Sequence, residues 1–314
     1  MNPVMAAKKV LTLTLNPSID VSSEAERVEP EKKIRTCCER IDPGGGGINV
    51  ARVLQRLSTS SRQAPGLDVE AVFLAGGATG AAFDELVARE GLVRRWVRIA
   101  DDTRTSLTVH ERSGGREFRF VPEGPTITAE ELAQCRAAVV AASCDWLVAS
   151  GSLPPGVPDD FYAEIGGAAR DRGARLILDT SGAALDAALA AGGISVLKVS
   201  KEEMSRDSAA AVVARGEAAH VALTLGSDGA LLIGADATLF LPAFEVETVS
   251  TVGAGDSFLA GLTYGLAQGM APAEAFRIAV AAGAAATLEP GTDVAYPEKT
   301  LRLLERVPQP ERLG

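Results

Sequence analysis

Short apolar runs alternate with longer helix-patterned runs along most of this chain, and that alternation narrows the fold more than any other feature. Residues 10–15 read as a strand, 47–57 as a helix, 69–75 as a strand, and 81–90 as a helix ended by Gly91. Further along, 130–142 and 159–172 read as helices, and 146–149, 175–178, 196–199 and 220–225 as strands. Strands separated by helices cannot pair as hairpins. The alternation therefore predicts an α/β fold with a mostly parallel central sheet and helices on both faces. Ligands of such sheets bind beyond the carboxyl ends of the strands.

Two stretches depart from the pattern. Residues 18–42 and 95–122 carry charges alternating with Val, Ile, Thr and Phe, and a Gly114-Gly115 turn divides the second. They predict β-strands outside the main sheet, a small lid inserted into one 1–314 domain. The apolar face of such a lid needs a cover, and a second subunit making a homodimer through the lid would supply one.

Composition excludes some functions. The net charge of −10 disfavours nucleic acid and anionic membranes as partners. No apolar run is long enough to span a membrane and no signal-peptide pattern opens the chain, so a cytoplasmic location is expected. The cysteines at 37, 38, 135 and 144 have neither CxxC nor zinc-finger spacing and read as free thiols. The only histidines, His110 and His220, lie among strand-like residues and suit neither a metal site nor a hydrolytic triad.

The chemistry concentrates at 250–258, STVGAGDSF. Asp256 stands behind two glycines where a helix begins, so the N–H groups of Gly253, Ala254 and Gly255 can face an anion while the carboxylate accepts a proton. Phosphoryl transfer needs both elements. An aspartate at such a place also serves as a plain N-cap. The run 43–52, PGGGGINVAR, suits either close approach of backbone to a polar ligand or a hinge. There is no Walker A motif, and the glycines before Asp256 lack the third glycine of a dinucleotide fingerprint.

Together the segments 12–20 (TLTLNPSID), 43–52, 75–80 (AGGATG), 150–157 (SGSLPPGV) and 250–258 resemble the PfkB (ribokinase-like) carbohydrate kinase family over about residues 10–305. The likeness is strongest to the branch holding the bacterial minor 6-phosphofructokinase, 1-phosphofructokinase and tagatose-6-phosphate kinase. It implies a ribokinase-like three-layer α/β/α fold, and ATP-dependent phosphorylation of a ketohexose phosphate, foremost fructose 6-phosphate to fructose 1,6-bisphosphate. Asp256 matches the family's base, with Gly253, Ala254 and Gly255 as the anion hole. Asp20, at the end of the first strand, matches the holder of sugar hydroxyls, with Ser18, Gly45, Gly46, Asn49 and Ser152 beside it. Lys33 and Arg35 on the first lid strand, with Arg104, match the cations that take the sugar's phosphate.

For ATP the resemblance points to Lys198, Ser200, Thr224, Gly226, Gly229, Gly283 and Thr287. Glu203 matches a glutamate that organises Mg2+ through water, and Ser250, Val252, Ala286 and Gly291 match a loop for K+. Three departures stand out. Ser200 replaces the family's asparagine, the stretch between Met204 and Thr224 is shortened, and Glu289 and Asp293 replace Asn and Arg near the cation loop. The other readings are 1-phosphofructokinase or tagatose-6-phosphate kinase, a binding-only regulator built on a weakened kinase, and a Rossmann-type oxidoreductase.

Overall fold

The computed structural model describes residues 7–60 and 66–313. The chain opens with β1 (Lys9–Thr14), β2 (Ser18–Ala25), β3 (Cys37–Gly44), α1 (Gly46–Ser60), β4 (Asp68–Gly76), α2 (Gly77–Arg89) and β5 (Val93–Ile99). It continues with β6 (Arg104–Glu111), β7 (Arg116–Phe120), α3 (Ala129–Ala141), β8 (Trp146–Ser150), α4 (Phe161–Arg170), β9 (Arg175–Asp179), α5 (Gly182–Ala191) and β10 (Ile194–Ser200). The last part holds α6 (Arg206–Ala214), β11 (Ala218–Thr224), β12 (Ala230–Gly234), β13 (Thr238–Leu241), α7 (Ala254–Ala267), α8 (Pro272–Ala286), α9 (Pro297–Leu304) and β14 (Glu311–Leu313).

The main sheet has ten strands in the order β14-β13-β12-β11-β10-β9-β8-β1-β4-β5. From β5 to β11 every pairing is parallel, and β12, β13 and β14 extend the sheet antiparallel. Successive side chains of a strand point to opposite faces, so β1 feeds two cores. Val10 packs with α1, α2, α7 and α8, whereas Leu11 and Leu13 pack with α3, α4 and α5. Three layers result.

Close packing explains several glycines. A Cβ on Gly47 would strike Thr14, so α1 can lie tightly on β1 only with glycine there. Gly261 and Gly265 of α7 meet Ala275, Ile278 and Ala279 of α8 in the same way. Part of the small-residue run of α8 therefore serves helix packing.

The second sheet has four strands in the order β3-β2-β6-β7. Its register sorts side chains by face. Ile41, Val21, Leu107 and Phe120 form one row across all four strands, and Arg40, Ser22, Thr108 and Arg119 form a row on the other face. Ile41, Leu107 and Phe120 are exposed, which leaves the apolar row uncovered in the single chain.

One boundary differs from the sequence reading. The stretch 95–99 belongs to β5, which pairs with β4 at the edge of the main sheet, so the second lid segment starts at Arg104. The charges that suggested a lid are neutralised locally. Arg95 pairs with Glu70 at 2.9 Å and Arg94 with Asp84 at 2.6 Å.

Candidate active site

The crossing point of β1, β8, β9 and β10 gathers the chemistry. Gly253 adopts a left-handed turn (φ 76°) and α7 begins at Ala254, so Asp256 sits in the first turn and is not the N-cap. Asn49, in the first turn of α1, donates from Nδ2 to Asp256 Oδ2 at 2.8 Å. Arg52, one turn further along and only 1% exposed, donates to Asn49 Oδ1 at 3.3 Å and fixes which way that amide points.

On the other side, Lys198 near the end of β10 donates to Asp179 at 3.1 Å, and its Nζ would lie 3.2 Å from a Cβ on Gly255. Burial and the negative charge of Asp179 push the Asp256 carboxyl up to about 6, although Asn49 and Lys198 favour its ionised form. The Lys198 ammonium is raised, because Asp179 and Asp256 outweigh its burial. Asp179 escaped the sequence reading. Its signal was positional, a carboxylate closing a parallel strand at the ligand end of the sheet.

Asp20 is the third residue of β2 on the lid, not the end of the first strand. It accepts the Ser18 hydroxyl, and a Cβ on Gly44 would strike its carboxylate. A Cβ on Gly46 would strike Ser150, with Asp256 Oδ1 at 3.3 Å. Gly45 takes φ 110° against Thr14 and Pro17. The run 44–47 is thus tightly confined backbone rather than a hinge. Ser152 accepts from Asn16 Nδ2 at 3.3 Å, which puts it at the same end of β1.

The three expected phosphate cations part company. Arg104 opens β6 and donates to the carbonyls of Asn16 (2.8 Å) and Pro122 (2.9 Å), while its buried Nε has no partner among the described residues. Lys33 and Arg35 lie on the exposed chain between β2 and β3, off any strand. The cations that act most on Asp20 are Arg104 and Arg119, and Arg119 was not foreseen.

Next to the anion turn lies a cavity of about 670 Å³. Thr224, Gly226, Gly229, Gly283 and Thr287 line it, as do Ala254 and Gly255 next to Asp256, whereas Lys198 and Ser200 do not. Phe244, Val246, Phe258 and Val280 add an apolar wall that the sequence reading missed. That size and lining suit a nucleotide.

A scan against family models matches "pfkB family carbohydrate kinase" over residues 10–299. The chain belongs to the PfkB carbohydrate kinase family. Among curated proteins it is 37% identical to the ATP-dependent 6-phosphofructokinase isozyme 2 of Mycobacterium tuberculosis, covering 98% of this chain and 92% of that one. Among solved structures, phosphofructokinase-2 from Escherichia coli in complex with fructose-6-phosphate superposes with a TM-score of 0.87 at 35% identity, covering 96% of this chain and 99% of that one. The same enzyme in complex with potassium gives 0.88 at 36% identity, covering 95% and 99%. The fold is the ribokinase-like α/β architecture with its small second sheet, and the protein is a PfkB kinase.

In this PfkB kinase the unusual residues have local hydrogen-bond and ion-pair partners. Glu203 accepts the Ser200 N–H at 2.8 Å and the Ser200 hydroxyl at 2.9 Å, a turn that keeps the carboxylate in place although asparagine is gone. The shortened stretch still forms α6, whose N-cap Ser205 accepts from Ser208. Glu202, not Glu203, lines the cavity.

Ser250, Val252 and Gly291, three of the four residues expected to hold a cation, are joined by hydrogen bonds. Ser250 Oγ donates to the Gly291 carbonyl at 2.8 Å and accepts from the Val252 N–H at 3.2 Å, and the Ala286 carbonyl takes the Glu289 N–H at 3.0 Å. Lys299 neutralises Glu289 at 2.8 Å, and Arg52 pairs with Asp293 at 3.0 Å. Neighbouring contacts tie this loop outward. Thr292 donates to Asp42 of the lid at 3.0 Å, Arg40 reaches Asp293 at 3.5 Å, and the Asp293 carbonyl lies 3.1 Å from where a Cβ on Gly253 would stand.

Proposed function

We propose that this kinase transfers the γ-phosphoryl group of ATP to a ketohexose phosphate, fructose 6-phosphate above all, making fructose 1,6-bisphosphate. The observation that carries the reading is Asp256, a carboxyl pushed up to about 6 and held by Asn49 between the sugar-side residues and the mouth of the nucleotide cavity. A base with that pKa is ionised at neutral pH and still close enough to it to take a hydroxyl proton as attack proceeds. Asp20, Ser18, Asn49 and Ser152 hold the sugar hydroxyls, and confined backbone at Gly45 and Gly46 shapes their pocket.

The buried, unpartnered Nε of Arg104 supplies a donor for the sugar phosphate, with Arg119 and the exposed Lys33 and Arg35 adding positive charge. The N–H groups of Gly253, Ala254 and Gly255 and the Lys198 ammonium stabilise the charge that grows on the transferred group. Mg2+ carried with ATP would neutralise the phosphates, and Glu203 would hold its water from just outside the cavity lining, with Glu202 inside it. The carbonyl-rich turn at Ser250, Val252, Ala286 and Gly291 suits K+. The exposed apolar row of the lid suits a second copy of the chain, giving a homodimer. A cytoplasmic location fits these substrates, and among the described residues no helix is long and apolar enough to cross a membrane.

Coupled ADP-release kinetics with fructose 6-phosphate, fructose 1-phosphate, tagatose 6-phosphate and ribose test the assignment. A 6-phosphorylated ketohexose is the preferred acceptor, and Asp256→Asn lowers turnover by at least roughly a hundredfold. Comparable rates on unphosphorylated ribose would sink the substrate class, and undiminished turnover in Asp256→Asn the mechanism.

A further inference from the structure

At the end of the lid hairpin away from the cleft, three side chains converge for which the kinase reaction has no use. Glu24 lies four residues beyond Asp20 on β2, about 13 Å further along the strand, and pairs across the hairpin with Cys37. Cys37 and Cys38 are adjacent in β3 and exposed. Neighbours in a regular strand point to opposite faces. Here Cys38 takes a left-handed conformation, φ 57°, beside a register shift between Ser22 and Glu24, and the two Sγ atoms come within 3.5 Å of each other.

The Glu24 carboxylate and the two sulfurs all lie within 4.8 Å of one another. The Arg112 guanidinium caps the group, donating to Glu24 at 2.6 Å and to Cys37 Sγ at 3.1 Å. A cation is already drawn to this cluster of sulfur and carboxylate. A disulfide requires sulfurs at about 2.05 Å, well inside the separation found here. Two thiolates on one tetrahedral zinc ion, each at about 2.3 Å, stand roughly 3.8 Å apart, which is close to the separation present.

We propose that Cys37, Cys38 and Glu24 form a surface site for a thiophilic divalent cation of the zinc type. On binding, both thiols release their protons to solvent as two metal–sulfur bonds form. Glu24 supplies an oxygen, water fills the fourth position, and the long, half-exposed Arg112 side chain swings out. No electron is transferred. The other cysteines do not compete, because Cys135 is buried and, among the described residues, neither Cys135 nor Cys144 belongs to a cluster of possible ligands.

The test is a titration of reduced, metal-free full-length protein with Co2+, followed by displacement with Zn2+. One equivalent of Co2+ produces a thiolate-to-cobalt charge-transfer band, and one equivalent of Zn2+ removes it. Cys37→Ser and Cys38→Ser each lose the band. Glu24→Gln keeps it but binds at least roughly tenfold more weakly, and Cys144→Ala behaves as wild type. Absence of the band in the wild-type protein, its survival in either serine variant, or undiminished affinity in Glu24→Gln would each overturn the site.

Discussion

Replacing Asn49 by leucine removes the hydrogen bond that steadies the charge on Asp256 while keeping the side chain's size. The Asn49 Nδ2–H meets Asp256 Oδ2 at 2.8 Å, and a hydrogen bond to a charged acceptor contributes about 1.5–3 kcal/mol. Water from the open cleft recovers part of the loss, so the lower end applies, and at about 1.36 kcal/mol per unit this is roughly one pKa unit. Burial and Asp179 then act on the carboxylate with less opposition, and its pKa climbs from about 6 to roughly 7. A general base works only when ionised. The variant therefore loses about fivefold in relative kcat/KM at about pH 6 and almost nothing at about pH 8. The assay is kcat/KM for the sugar phosphate across about pH 5–9, each profile normalised to its own alkaline plateau, which cancels any uniform loss of sugar binding. An acidic limb that keeps its wild-type position would refute the role assigned to Asn49.

Three further variants probe stability. The folded-state pKa of Asp256, about 6, lies above its ordinary value of 3.8, so the native state holds that proton more tightly, and the stability this lends is fully present below 3.8 and is lost as pH rises to about 6. Asp256→Asn is therefore more stable than wild type by about 3 kcal/mol at about pH 8 and equal to it at about pH 3 in denaturant unfolding, and equal stability at both values would contradict the sign. Arg52→Met removes the most deeply buried cation shared by Asp293 and Glu90, but Arg56 still reaches both, at 3.4 and 3.0 Å, and Tyr296 donates to Asp293 at 2.9 Å, so stability falls by about 1–3 kcal/mol in urea unfolding. Arg52→Lys recovers less than half of it, since one ammonium cannot replace the fork that reaches Asn49, Glu90 and Asp293 together.

Much of this was legible in the chain itself, for reasons that differ by region. The inner parallel strands are buried on both faces and announce themselves as apolar runs. The segment around Asp256 carries its helix start and anion turn within nine consecutive residues, 250–258. Of the residues lining the cavity, Thr224, Gly226 and Gly229 close or follow β11 and so sit where α/β sheets take ligands, whereas Gly283 and Thr287 belong to α8 and its C-cap. The edge strand β5 was hidden because half of it faces solvent and its arginines pair with Glu70 and Asp84 on other elements. Helices α5 and α6 went unseen because alanine-rich stretches show little apolar period. Asp179 and Arg119 act through neighbours far away in sequence, Lys198 and Asp20, and nothing local marks them. The start of α2 at Gly77 depends on Asp102, whose carboxylate accepts the Ala78 N–H at 2.6 Å from another loop.

The loop around Gly291–Asp293 touches the anion turn at Gly253, the first helix through Arg52 and the lid hairpin through Asp42 and Arg40. Under the proposed function it is a shared abutment for the turn that grips phosphate and the hairpin that folds over the sugar. A shift of this loop would displace both, so any ion that it prefers in one position would couple the two substrates. Because such coupling is reciprocal, whatever factor that ion adds to sugar affinity in the presence of nucleotide, nucleotide affinity gains in the presence of sugar.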